Sequence, residues 1–287
     1  MAKRYNLTIY GIENFNPADW YDVLLAGPKR DMQLEHLQTI IRTVGNIGIK
    51  AFGYNFSLAG VWGHEKAPNA RGGAMTVTFN ANDLDKNALI PNGQIWNMTY
   101  DQHPQPGYLN PVTHQELWNR LKYFLDALLP VAEEAGVDLA LHPDDPPMPT
   151  LRGTPRLVYQ PRMYQDVINL NQSKANKLDF CLGSIQEMTE GNLYESLRHY
   201  ARQGRISYIH FRNVKGKVPH YDEVFLDEGD IDMQKTLKIL KEENFQGVLV
   251  PDHTPMVDGG GDPWHAGMAF ALGYMSAAMK NLEGHNA

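Results

Sequence analysis

The sequence has little cysteine, no long apolar run and no excess of positive charge. One cysteine in 287 residues cannot form a disulfide within the chain, which fits a reducing compartment. Without an 18-residue apolar run or an apolar segment near the N-terminus, we expect neither a membrane helix nor a signal peptide. With 26 basic against 33 acidic residues, no basic stripe is available for nucleic acid. We therefore predict a soluble, cytoplasmic protein without a nucleic-acid or membrane partner.

Short apolar runs alternate with helical patterns along most of the chain. The strand candidates are Tyr5–Tyr10, Ala51–Tyr54 and the segments VDLALH, KLDFC, ISYIH and GVLVPD. Such alternation is typical of parallel βαβ units, and barrels built from them reach this length as one domain. We predict an α/β fold, a TIM-type (β/α) barrel forming a single domain over residues 1–287, with six recognisable units.

Helix signals are clearest in two places, and one long segment lacks them. An apolar stripe over residues 34–44 and the capping box Thr113-His-Gln-Glu116 each predict a helix. Further helices are expected near 161–172, 190–203, 231–244 and 263–281. Residues from about 56 to 112 are rich in glycine, proline and asparagine, so we predict a long loop insertion there. The segment Met75–Phe79 (MTVTF) is a candidate strand within it.

Four strand ends each carry one residue that can bind a metal. They are His142 in LHP, Cys181 in FCL, His210 in IHF and Asp252 in PDH. The carboxyl ends of parallel strands converge at one mouth of a barrel, where barrel enzymes keep their chemistry. Two imidazoles, a thiolate and a carboxylate suit a transition metal. The sequence therefore predicts a shared metal site.

Each of these residues alone has a simpler interpretation. A lone cysteine is more often a buried small hydrophobic residue than a ligand, and His210 after an apolar run could be a core histidine. The HPDDPP segment after His142 could be a stiff turn with solvated aspartates. Even a shared site could be a closed structural zinc centre, although a wide barrel mouth favours an open catalytic one. Thiolate and imidazole suit zinc and iron, while the carboxylate admits manganese.

Several motifs resemble the mannonate dehydratase family of sugar-acid lyases, which have the xylose isomerase-like TIM barrel. The motifs are PVAEEAGVDLALHPDDPP, GYNF, FCLGS, HFRNV, GDIDM and PDH. The resemblance implies that His142, Cys181, His210 and Asp252 bind a divalent ion, with Mn²⁺ favoured and Fe²⁺, Co²⁺ or Zn²⁺ as alternatives. It also places Asn55, Asp144, Arg212 and His253 around the substrate, a sugar acid or sugar.

The chain departs from the family pattern near its ends. It lacks the first one or two βα units, and Val250 stands where the dehydratases have arginine before PDH. The family has Pro-Gly-Tyr, with a tyrosine implicated in proton transfer, where this chain has Pro263-Trp264-His265. His265 therefore stands in the place of that tyrosine. The HYDEVFLDEGD loop also lacks a family histidine. Because an incomplete barrel has an exposed edge, we expect a homodimer or larger oligomer.

The expected reaction removes water from an aldonic acid to give a 2-keto-3-deoxy acid. His253 or His265 would take the proton next to the carboxylate, and Arg212 would hold that carboxylate in a bidentate fork. Aromatic and polar side chains could wall the sugar, although core packing is the simpler and favoured interpretation of each. These residues are Trp62, His64, Trp96, Tyr100 and Trp264.

Two other functions remain open from the sequence. The first is a metal-dependent sugar isomerase or epimerase on the same barrel, which would return the proton and expel no hydroxide. The missing family tyrosine and arginine make this alternative serious. The second is a sugar-binding protein without catalysis, against which four retained metal ligands argue.

Overall fold

The computed structural model describes residues 2–85, 88–259 and 261–284. The chain divides into two compact units. The first unit comprises Met1–Trp62, Asp85–Tyr159 and Met163–Asp179, and the second comprises Gly63–Leu84, Gln160–Arg162 and Phe180–Ala287. The prediction of a single domain is not tested by this division and stays a prediction.

The strands follow one another along the chain between helices and turns. In chain order they are β1 (Gly11–Glu13), β2 (Ala51–Tyr54), β3 (His64–Ala70), β4 (Ala74–Asn80), β5 (Gln94–Ile95), β6 (Met98–Thr99), β7 (Asp138–Leu141), β8 (Thr150–Leu151), β9 (Thr154–Pro155), β10 (Asn176–Cys181), β11 (Ile206–His210), β12 (Asn213–Lys217), β13 (His220–Val224) and β14 (Val248–Val250).

The α-helices lie close to their predicted positions, with two additions. They are α1 (Pro17–Leu25), α2 (Arg30–Asn46), α3 (His114–Ala135), α4 (Met163–Leu170), α5 (Leu182–Glu187), α6 (Leu193–Arg202), α7 (Met233–Glu242) and α8 (Pro263–Gly284). None of these described helices is long and apolar enough to span a membrane.

The first unit contains a parallel sheet. β1 pairs with β2, β2 with β7, and β7 with the start of β10, with Ala51 opposite Asp138 and Asn176 opposite Leu139. All four residues of β2 are buried, as expected for a parallel strand covered on both faces. The predicted stripe on α2 is confirmed, since Leu34, Leu37, Ile41 and Val44 are all buried.

The second unit combines parallel and antiparallel strands. β11 and β14 are parallel, with Tyr208 opposite Val248, while β12, β13, β4 and β3 form an antiparallel sheet in that order. The predicted strand at Met75–Phe79 is confirmed as part of β4. The segment predicted as a loop insertion therefore contains a strand pair, because β3 and β4 lie within it.

The predicted first strand is wrong in position. Residues Ala2–Tyr5 form a 3-10 helix, and the strand begins only at Gly11. Tyr5, Leu7 and Ile9 are 63%, 64% and 54% exposed, so their alternating apolar pattern does not meet a core. The helix α1 was also not predicted, although its start carries two sequence signals: Asn16 caps it and Pro17 occupies its first turn.

The capping box at the start of α3 is expected to stabilise the fold. The Thr113 side chain accepts from the Glu116 N–H, and the Glu116 carboxylate accepts from the Thr113 N–H at 2.7 Å. We expect Thr113→Ala to lower the free energy of unfolding by about 1 kcal/mol, because helix N–H groups lose their partners. Urea denaturation measures this. Gln115→Ala, in the same exposed turn, is the control, and equal effects of the two changes would contradict the capping argument.

Candidate active site

His142 directly follows β7 in the first unit and is half-buried. Its Nδ1 lies 2.7 Å from the carbonyl oxygen of Pro143. Since a carbonyl oxygen can only accept, Nδ1 carries the proton and the ring lone pair is on Nε2. This is the tautomer of a histidine that binds a metal through Nε2 while its other nitrogen is held by the backbone.

Asp144 anchors the proline-rich loop that follows His142. Its Oδ2 accepts from the Leu157 and Val158 N–H groups at 2.7 and 2.8 Å, and its Oδ1 lies 2.7 Å from Nε of Arg156. The Arg156 guanidinium also donates to the Gly60 carbonyl, and its side chain is 1% exposed. These contacts hold the loop in one conformation. The predicted contact of Asp144 with substrate stays a prediction.

Asn55 is the first residue after β2. It is half-buried, and its Nδ2 donates to Oδ1 of Asn14 at 3.1 Å. Both residues follow the carboxyl ends of parallel strands in the first unit. That is the edge at which a substrate residue is expected.

Cys181 ends β10 and caps the start of α5 in the second unit. The side chain is fully buried, and its Sγ accepts from the Ser184 N–H at 3.5 Å. Burial in apolar surroundings disfavours a thiolate, whereas an N–H donor at the sulfur stabilises it. The predicted role of Cys181 as a metal ligand stays a prediction.

His210 and Asp252 meet at the ends of the neighbouring strands β11 and β14. Nδ1 of His210 lies 3.4 Å from Oδ2 of Asp252, and the histidine side chain is 2% exposed. Asp252 has a left-handed backbone with φ 58°. Aspartate tolerates this region better than most residues, and unusual backbone conformations are concentrated at functional sites.

Arg212 is a buried cation surrounded by acidic side chains. Its Nη1 lies 2.7 Å from Glu187 and 3.5 Å from Glu223, and its Nε lies 3.3 Å from Asp252. Nη2 donates to the Ser184 hydroxyl at 3.0 Å. These partners fix the guanidinium at the edge of the predicted metal site. The predicted bidentate contact with substrate stays a prediction.

A glycine provides the space that Arg212 occupies. A Cβ atom on Gly183 would overlap the guanidinium, so a larger residue at position 183 would displace it. Glu187 and Glu223 were not predicted as site residues, although both lie beside Arg212. Glu223 had a signal, because alternation along β13 places it on the buried face with Tyr221.

His253 follows Asp252 and is held by Glu223. Its Nδ1 lies 2.9 Å from the Glu223 carboxylate, and its Nε2 lies 3.7 Å from Oδ1 of Asp252. The negative charge of Glu223, and less strongly that of Asp252, raises the pKa of His253 to about 10 against partial burial. The ring is 50% exposed, so water screens part of this attraction. The pKa shift is upward, and the charged imidazolium is the favoured form.

His265 and Trp264 lie in the first turn of α8. Their side chains are exposed, by 73% for His265 and 44% for Trp264. Nδ1 of His265 lies 3.1 Å from Asp262, which also accepts from the Trp264 N–H. The catalytic role of His265 and the sugar-walling role of Trp264 stay predictions.

Comparison with solved structures establishes the fold class. The crystal structure of a xylose isomerase domain protein from Planctomyces limnophilus is similar with a TM-score of 0.58 and 14% identity. The match covers 99% of this chain and 82% of that chain. At this identity the likeness shows the fold alone, the (β/α) barrel of the xylose isomerase-like proteins. The predicted fold class is confirmed.

Closer relatives identify the family. A family model described as D-mannonate dehydratase matches residues 1–275. A mannonate dehydratase of Streptococcus suis (strain 05ZYH33) is 32% identical over 245 residues, covering 81% of this chain and 66% of that protein. The crystal structure of mannonate dehydratase from Streptococcus suis serotype 2 is similar with a TM-score of 0.81 and 29% identity, over 99% of this chain and 80% of that one. The chain belongs to the mannonate dehydratase family. It spans 66% of the length of the first of these relatives.

The contact between His253 and Glu223 predicts a change in titration. We expect Glu223→Gln to lower the pKa of His253 from about 10 toward its ordinary value of 6.5, because the largest cause of the shift is removed. In the unmutated protein the interaction stabilises the fold fully below pH 6.5 and is lost as the pH rises through about 10. Histidine NMR titration of metal-free protein measures the pKa.

The matched control for this titration is Asp222→Asn, which removes the neighbouring carboxylate of the same strand. Asp222 lies 4.0 Å from His220 and bonds to Asn69. This change should leave the His253 pKa unaltered. An unshifted His253 in Glu223→Gln would show that the observed contact does not control the charge of the ring.

Proposed function

We propose that this protein catalyses the metal-dependent elimination of water from an aldonic acid, giving a 2-keto-3-deoxy acid. The family match over residues 1–275 is the observation that carries the proposal. The relatives that match are named mannonate dehydratase, which makes D-mannonate the first substrate to test. The exposed Trp264 is assigned to the wall of the sugar site.

The proposed ligands of the metal are His142, Cys181, His210 and Asp252, and the proposed metal is Mn²⁺. The donor set fits a divalent transition ion, since it combines a thiolate, imidazoles and a carboxylate. The spacing of His210 and Asp252 supports the assignment. Nδ1 of His210 and Oδ2 of Asp252 lie 3.4 Å apart, close enough for both atoms to contact one divalent ion.

In the proposed reaction, the C2 proton of the aldonic acid is removed and the C3 hydroxyl leaves as water. The enol that results tautomerises to the 2-keto acid. A divalent cation at this site supplies charge stabilisation for the anion that develops beside the carboxylate. Arg212 keeps Asp252 in place through the 3.3 Å contact and, in the proposal, attracts the substrate carboxylate.

The two histidines divide the proton transfers in this proposal. His253 is bonded to the Glu223 carboxylate, an arrangement that favours a ring carrying two protons and suits a donor to the departing hydroxyl. His265 is assigned as the base that removes the C2 proton. Its contact with Asp262 at 3.1 Å orients the ring, as a carboxylate does in other acid–base pairs.

The elimination is tested by assaying protein reconstituted anaerobically with Mn²⁺ against D-mannonate and related aldonic acids. We expect 2-keto-3-deoxy acid, detected colorimetrically, and solvent deuterium at C3 of the product, detected by NMR. Chelation with EDTA should abolish product formation. Deuterium uptake into unchanged acid or a C2 epimer, without keto acid, would indicate an epimerase. Absence of both from metal-loaded protein would refute the proposal.

The ligand assignment is tested by metal content. We expect Cys181→Ser and His210→Gln each to reduce bound Mn²⁺ after dialysis by roughly tenfold or more, because a direct ligand contributes at least as much as its supporting partners. His220→Gln is the control, since that histidine is 55% exposed in β13. Elemental analysis gives the stoichiometry, and circular dichroism checks folding. Folded variants that retain the full metal content would disprove the assigned site.

A further inference from the structure

Arg152 lies at the tip of the hairpin that β8 and β9 form in the first unit. Leu151 pairs with Thr154, so Arg152 and Gly153 make a two-residue turn, and both have left-handed backbones, with φ 51° and 69°. A turn of this kind favours asparagine or glycine at its first position, because larger side chains rarely adopt the conformation. Here an arginine occupies that position. Strained backbone of this kind is concentrated at functional sites.

Uncharged groups hold the Arg152 guanidinium in place. Its Nη2 donates to the carbonyl oxygen of Leu89 at 2.9 Å, and its Nη1 lies 3.5 Å from Oδ1 of Asn97. The guanidinium carbon lies 5.4 Å from the centre of the Trp62 ring, which is a cation–π contact. These contacts use the face of the guanidinium and only part of its N–H edge. The side chain is therefore fixed without being neutralised.

Arg152 has no acidic partner among the residues that the structure describes, although the chain has 33 acidic and 26 basic residues. Burial lowers the pKa of Arg152, and no neighbouring charge opposes this effect. Its Nε is buried and has no acceptor in the described part of the chain. Arg156, on the other side of the same hairpin, is paired with Asp144. A partly buried cation is stable when an anion or several acceptors surround it, so Arg152 is a position at which an anion from solution would be stabilised.

We propose that Arg152 and Trp62 form a binding site for a small oxyanion, a phosphate or carboxylate group, at the tip of the β8–β9 hairpin. The N–H groups of a guanidinium lie in one plane and match two oxygens of such a group. Trp62 covers the face of the guanidinium, so the anion binds at the Nε edge. The amide of Asn97, whose Oδ1 faces Arg152, offers a further N–H donor. None of these residues is a proposed metal ligand or proton donor, so the inference does not rest on the proposed function.

The test is isothermal titration calorimetry of the full chain with inorganic phosphate and, separately, with acetate, at low ionic strength so that salt screens the attraction little. We expect saturable binding at one site. Tighter binding of phosphate would define a phosphate site, and equal or tighter binding of acetate a carboxylate site. Arg152→Asn should weaken binding by about tenfold or more, because hydrogen bonds to a charged group are lost. This variant should fold, since asparagine suits the turn.

Two further variants complete the experiment. Arg152→Lys keeps the positive charge but removes the planar fork, so it should also weaken binding severalfold. The matched control is Arg42→Gln, which removes an exposed arginine of α2 whose Nε lies 4.0 Å from Glu134, and it should leave the affinity unchanged. Circular dichroism checks that each variant is folded. The inference is overturned if neither anion gives saturable binding, or if folded Arg152→Asn protein binds with unchanged affinity.

Discussion

The buried charge of Arg212 is the constraint on which the second unit's site depends. A guanidinium that is 1% exposed is stable only if anions surround it, and Glu187, Glu223 and Asp252 supply them. Through Asp252 it reaches a predicted metal ligand, and through Glu223 it is linked to His253. One cation therefore couples the carboxylate of the ligand set to the proton-carrying histidine.

The strands and their terminal residues could be predicted because burial imposes a simple pattern. A parallel strand covered on both faces must be apolar, so a histidine, cysteine or aspartate directly after such a run stands out, as His210 and Asp252 do. The capping box at Thr113 could be predicted equally well, since the residues that define it lie within four positions of the sequence. The same rule misplaced the first strand, because Tyr5–Tyr10 has a strand pattern although Ala2–Tyr5 form a 3-10 helix and the apolar side chains of Tyr5, Leu7 and Ile9 are exposed.

Other parts of the site could not be predicted because their signals are not local. Glu187 lies in a short helix, and nothing near it in the sequence shows that it faces Arg212, 25 residues away. The strand pair β3–β4 was not predicted, because the glycine and proline in this segment are typical of loops and β3 itself contains a proline. In addition, the pairing of β3 with β4 shifts register between Ala67 and Ala70.

The ion pair of Asp144 and Arg156 has a consequence for how the sequence can vary. Both side chains are almost fully buried, so loss of either partner would leave the other charge in the interior without compensation. Substitutions at the two positions are therefore tolerated far better together than singly. Asp144 and Arg156 should therefore covary: relatives that diverge from this chain should either retain both residues or replace both.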